Sequence, residues 1–152
     1  IYAEFPKLLE RSGNFGKGSI TGVYTVLVEG DDTNEPISDT VRGILDGHIV
    51  LSRQLANENH FPAIDIGASI SRLMVEIVSD DHQKLSSKLR NILSLYQKNA
   101  DLISIGAYKR GTNPALDEAV SKINAINAFL QQGIRERFTY EETVEQIRAI
   151  TG

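Results

Sequence analysis

The sequence predicts an α/β fold that gives way near residue 76 to an all-α segment, and three observations carry that reading. Runs rich in β-branched and aromatic residues fill the first half. Strand, helix and strand signals then alternate between residues 48 and 74 at the spacing of a parallel α/β sheet. From residue 79 onward the apolar residues repeat with a helical period instead.

The elements follow in chain order. Residues 2–12 set Phe5, Leu8 and Leu9 on one side with charges between and stop at Gly13, which predicts a short amphipathic helix. "NFGKG" reads as a loop. "SITGVYTVLVEG" is mostly apolar and β-branched, as a central strand covered on both faces would be. Residues 30–39, "GDDTNEPISD", form a loop, and a helix capped at Ser38 or Asp39 runs one or two turns to Gly47. "HIVLSR" is a second buried strand, "QLANEN" a short helix, and "FPAID" a third strand running into "IGASISRLM". Three strands are few for a complete sheet, and the chain opens without an initiator methionine, so further strands are expected before Ile1.

In the second half, Leu85, Leu89, Ile92, Leu93 and Tyr96 mark a helix capped by Ser79 or Asp80. Leu116, Ala119, Val120, Ile123, Ile126, Phe129 and Leu130 mark another that closes at Gly133. "TYEETVEQIRAI" offers a third, capped by Thr139, with Glu141 and Glu142 placed to favour the helix dipole. Residues 1–76 and 77–152 are accordingly the two expected pieces.

Composition excludes several functions. The 152 residues carry a formal net charge of -4, which argues against nucleic acid as a partner because such proteins gather a basic excess. Cysteine is absent, so disulfides, thiolate zinc sites and cysteine nucleophiles are excluded. His48, His60 and His82 stand at no metal-ligand spacing from one another. No apolar stretch approaches the roughly 20 residues that span a bilayer, and the start has no signal-peptide pattern. GxxxxGK[ST], GxGxxG, GxSxG and HExxH are all missing from these residues; "NFGKGS" around Lys17 lacks the first glycine of a phosphate loop and precedes a strand. The acids Glu29, Asp31, Asp32, Glu35 and Asp39 could ligate a hard cation or face a partner. They lack EF-hand spacing, and a contact surface is the expectation.

The lone Arg72 that ends "IDIGASISR" admits two readings on its own: an ion pair within its own subunit, or a charge aimed at another molecule. The run "TVLVEGDDTNEPISDTVRGILDGHIVLSR", together with "AEFPKLLERSGN", "SISRLM", "IGAYKRGTNPALDEAV" and "INAFLQQG", resembles the flagellar type III export ATPases. That family, also called flagellum-specific ATP synthases, is related to injectisome ATPases and to ATP synthase catalytic subunits. The resemblance covers almost the whole chain. It implies the last part of a RecA-like ATPase domain over residues 1–76 and a C-terminal helical domain over 77–152, with the phosphate loop, catalytic glutamate and magnesium-associated aspartate lying before Ile1.

The same resemblance implies roles for particular residues. Arg72 resembles an arginine finger that reaches in trans into a neighbour's nucleotide site. Phe61, with Pro62, stands where related subunits pack an aromatic on adenine, a core aromatic being the other reading; Tyr140 or Phe138 would supply a second adenine contact. Asp31, Asp32, Asn34 and Glu35 resemble the segment that faces a central coiled-coil stalk. The family implies ATP and Mg2+ for the complete protein, and none is expected on this chain alone, which is predicted inactive by itself. It further implies a homo-hexamer in the bacterial cytoplasm, peripheral to the membrane export gate at the flagellar export apparatus, with export chaperones and cargo as partners. A non-catalytic module that docks chaperones and stalk is the alternative for the isolated chain, and an injectisome ATPase the alternative for the parent.

Overall fold

The computed structural model describes residues 4–28 and 36–152, and within them the chain forms two compact units that divide between His48 and Ile49. In the first unit, helix α1 (Glu4–Leu9) buries Leu9, and an exposed Lys7–Glu4 pair at 3.0 Å lies on its outer side. Strands β1 (Gly13–Phe15) and β2 (Gly18–Ile20) pair antiparallel, with Gly13 opposite Ile20 and Phe15 opposite Gly18. The "NFGKG" loop expected here is thus a hairpin around Gly16 and Lys17. Gly13 enters it at φ 139°, a conformation in which a side chain would be strained.

Helix α2 (Pro36–Ile44) begins two residues before the predicted cap, because proline's fixed φ and missing N–H suit a first helical turn. It buries Ser38 and Val41 and contacts α1. The expectation of a central buried strand over "SITGVYTVLVEG" does not hold. Only β2 is extended and paired, residues 21–28 take no regular structure, and Val23 and Leu27 are each 90% exposed. β-branched residues favour a strand only where a neighbour supplies hydrogen bonds and cover, and among the described residues this run finds neither.

Strand β3 (Gly47–Leu51) leads into the second unit, followed by helix α3 (Arg53–Asn57) and strand β4 (Ile64–Ser71), which pairs with β3. Ser52 Oγ caps α3 by accepting from Leu55 N. Asn59, at φ 59°, ends it in a Schellman pattern: Asn59 N donates to Ala56 O at 3.0 Å and His60 N to Leu55 O at 2.9 Å. The bonds Ser52 N to Ala63 O and Val50 N to Ser69 Oγ step backward along β3 while stepping forward along β4, the antiparallel sense. A parallel pair was expected, but the chain reverses at Asn59 after a five-residue helix, too short for the usual crossover.

A one-turn helix α4 (Met74–Ile77) precedes the long α5 (Asp80–Lys98), capped by Ser79 as its sequence suggests. The predicted helix breaks at Asn99, whose amide bonds Leu95 O, and resumes as α6 (Ala100–Ser104). Helix α7 (Pro114–Leu130) carries Asn113 as N-cap and proline in its first turn; α8 (Tyr140–Thr151) opens with a capping box between Thr139 and Glu142. The core joins Leu89, Ile92 and Leu93 of α5, Leu116, Ala119, Ile123 and Ile126 of α7, and Ile147 of α8. These are the helical-period positions, so the stripe that predicts each helix is the stripe it buries.

Candidate functional site

β4, the strand that ends one residue before Arg72, is not regular. Asp65 Oδ1 accepts from Gly67 N at 2.8 Å and Ala68 N at 3.0 Å, an Asx turn inside the strand. Ser69 Oγ donates to Asp65 O at 2.5 Å and accepts from Val50 N at 2.9 Å, so the hydroxyl replaces a backbone partner. A β-carbon on Gly67 would stand 3.2 Å from Asp65 Oδ1, tighter than ordinary contact, so a larger residue there would press on the turn's acceptor. From α5, Arg90 Nη1 donates to Ile66 O at 2.6 Å, and both terminal nitrogens reach Ser69 O at 3.3 Å. Arg72 follows directly after the strand and is exposed.

Phe61 lies beyond the Schellman turn, joined to Pro62 by a cis peptide bond, and is 51% exposed. Its carbonyl accepts from Gln132 N at 2.9 Å, and the buried His60 sets Nδ1 3.4 Å from Gln131 Nε2. The "FP" turn and the loop after α7 are therefore fastened together, and that loop carries the half-exposed Phe138.

Tyr140 sits at the start of α8, where its hydroxyl pairs with His82 Nδ1 at 2.8 Å and the rings meet edge to face at 5.5 Å. Nearby, Arg148 bridges Asp81 at 2.9 Å and Glu145 at 3.2 Å, and the hydrogen bonds it donates to those carboxylates push its pKa further up. The structure thus joins Phe61 to the loop before α8 and ties Tyr140 to α5. Asp31, Asp32, Asn34 and Glu35 lie outside the described residues. Among the described residues no group of three or more acids or histidines gathers as a metal site.

Sequence reasoning missed Arg90, Gln132 and His82. Their partners are 21 or more residues away, and no local period marks such contacts. Asp65 had a readable signal, an aspartate two residues before a glycine, the pattern of an Asx turn.

Two family models match successive stretches of the chain. Residues 1–71 match the nucleotide-binding domain of the ATP synthase alpha/beta family, and residues 78–149 match the C-terminal domain of the type III secretion ATPase EscN. The flagellum-specific ATP synthase of Bacillus subtilis is 51% identical over 152 residues, covering 100% of this chain and 35% of the relative. Among solved structures, the assembled ATPase EscN of the enteropathogenic E. coli type III secretion system superposes with a TM-score of 0.97 at 46% identity, covering 99% of this chain and 37% of that one. The same ATPase in complex with its central stalk EscO gives 0.89 at 44% identity, covering 99% and 36%. The chain spans about a third of the length of the curated relatives it matches.

Proposed function

Since this chain belongs to the family of flagellum-specific ATP synthases and type III secretion ATPases, we propose that it is part of an ATPase that energises flagellar protein export, hydrolysing ATP in a hexameric ring. The single observation that carries this reading is the 51% identity to a flagellum-specific ATP synthase across the entire chain. In this proposal residues 1–76 complete a RecA-like ATPase domain and 77–152 form the helical domain. Two family matches that end at 71 and begin at 78 support that boundary.

Arg72 is the residue proposed to act on the reaction. Arg72 is an exposed residue at the end of a braced strand, and the planar, permanent charge of an arginine suits the charge that spreads over a γ-phosphoryl group in transfer. Fingers of this kind are worth about 10³ to 10⁵ in rate. Phe61 with Pro62 forms one side of the proposed adenine wall, supported by the half-exposed state of Phe61 and its tether to Gln132. Tyr140 or Phe138 forms the other, each with more than half of its surface exposed. Mg2+ accompanies ATP in such enzymes; the described residues of this chain offer no group of three or more acids or histidines to hold it. With no phosphate loop among its 152 residues, the chain by itself is expected to show no ATP turnover.

A second reading, a docking module for stalk and export chaperones, draws on the likeness to EscN bound to its stalk EscO. It would use residues 78–152 together with the acidic segment Asp31, Asp32, Asn34 and Glu35. A place in the bacterial cytoplasm, peripheral to the export gate, fits a chain in which no described helix is long and apolar enough to cross a membrane.

The test is complementation in mixed rings of the full-length enzyme, combining subunits that carry Arg72→Ala with subunits whose phosphate-loop lysine is replaced. Recovery of ATPase activity that neither variant has alone supports action across the boundary. Rings that assemble and bind nucleotide but never recover would refute it and favour the docking reading.

A further inference from the structure

Ile66 and Ser69 are three residues apart, and in a regular strand carbonyls at an odd separation point to opposite sides. In β4 both oxygens converge on the guanidinium of Arg90, reached at 2.6 and 3.3 Å. The strand is therefore bent, and the bend is closed from two sides. Asp65 takes the amides of Gly67 and Ala68 within the strand, while Arg90 takes the carbonyls from α5. The internal turn sets local geometry but cannot fix the strand against the helices. Beside the packing of Ile66 on the helical core, the Arg90 fork does that, through charge-assisted bonds that a planar donor pair makes well. Three residues beyond Ser69 stands Arg72.

We propose that Arg90 is a positioning residue for Arg72, holding the bend of β4 against α5 and so fixing the direction in which Arg72 leaves the strand. The inference rests on the reading of Arg72 given above. It also makes α5 a mechanical partner of the site: a force that shifts α5 along its axis moves the two carbonyls and, with them, the base of Arg72.

The experiment compares Arg90→Met, Arg90→Lys, Arg72→Ala and the Arg72→Ala/Arg90→Met double variant in the full-length ATPase, measuring kcat, KM for ATP and thermal unfolding. Arg90→Met keeps an apolar stem and removes every donor. It should lower kcat by about ten- to a hundredfold, the cost of misplacing a reacting group by about 1 Å, with KM for ATP within about twofold. Arg90→Lys, with one ammonium for two carbonyls, should recover part of that loss. In the Arg72→Ala background Arg90→Met should cause no further fall, because the group it aims is gone. Arg90→Met with unchanged kcat, or an equal further fall without Arg72, overturns the proposal while leaving Arg72 in its role. Arg72→Ala with unchanged kcat removes the premise and the proposal with it. A loss of folding in Arg90→Met leaves Arg90→Lys to decide: an intact fold with kcat at the parent's level would overturn the proposal.

Discussion

Ile126 is the side chain on which the three-helix core turns, and replacing it has a calculable cost. It is 0% exposed in α7, within the cluster that joins α5, α7 and α8. Ile126→Ala deletes three carbon groups, a transfer loss of about 2.4 kcal/mol at about 0.8 per group. Helices packed on every side collapse poorly around a void, so a cavity penalty adds to this and brings the total to about 3 to 4 kcal/mol, inside the range seen for such truncations. Ile126→Val should cost about 1 kcal/mol. The chain has no tryptophan, so the assay is urea unfolding followed by the helical circular dichroism signal. Its midpoint should fall while the slope stays constant, since the area exposed on unfolding hardly changes. Ile134→Ala is the control: Ile134 is fully exposed and should change stability by less than about 0.5 kcal/mol. A loss under about 1 kcal/mol for Ile126→Ala, or an equal loss for Ile134→Ala, would refute the assigned core.

Other perturbations test the ends of elements. Thr139→Ala removes the acceptor that caps Glu142 N in α8 and should cost about 1 kcal/mol in the same urea assay; no change would mean the cap is idle. Asn59→Gly should be nearly neutral, whereas Asn59→Val should cost about 1 to 2 kcal/mol, because Asn59 holds a left-handed conformation that a β-branched residue resists; equal effects would contradict that backbone. Partial burial, then the hydrogen bond to Asp117, hold the Tyr108 phenol above its ordinary pKa. Its contribution to stability is thus full below the ordinary tyrosine value and lost as pH rises through that value toward the folded one. Phenolate absorbance of the folded chain should lose a component that titrates above the ordinary tyrosine value in Tyr108→Phe, and a titration curve unchanged in that range would refute the assignment.

The helices were legible where pattern and cap agreed. Ser79 and Thr139 could be read as starts because each precedes an apolar period and carries a side-chain oxygen, and the burial of Leu89, Ile92, Ile123 and Ile126 follows from that period. β3 and β4 were legible as strands, but not the exposure of β3, whose Ile49 and Leu51 are each 72% exposed where a buried strand was expected, nor their relative direction, which depends on how the chain turns at Asn59. Residues 21–28 misled because β propensity reports fit to a neighbour, and no neighbour is written into the segment itself. The site divides in the same way. Arg72 and Phe61 came into view through resemblance to a family, since a single arginine or phenylalanine has no spacing to read. Arg90 came into view only when two carbonyls in β4 were seen to share it.

The bond between Phe61 O and Gln132 N joins positions 71 residues apart through main-chain atoms alone. Nineteen of the twenty amino acids could stand at 132 and still donate it, so replacing Gln132 by alanine leaves this bond in place. Only proline, which has no N–H to give, would remove it, leaving the side-chain contact of His60 with Gln131 to join the two loops. Natural or engineered variation at Gln132 is thereby free to change the surface near Phe61 while the junction beneath it stays closed.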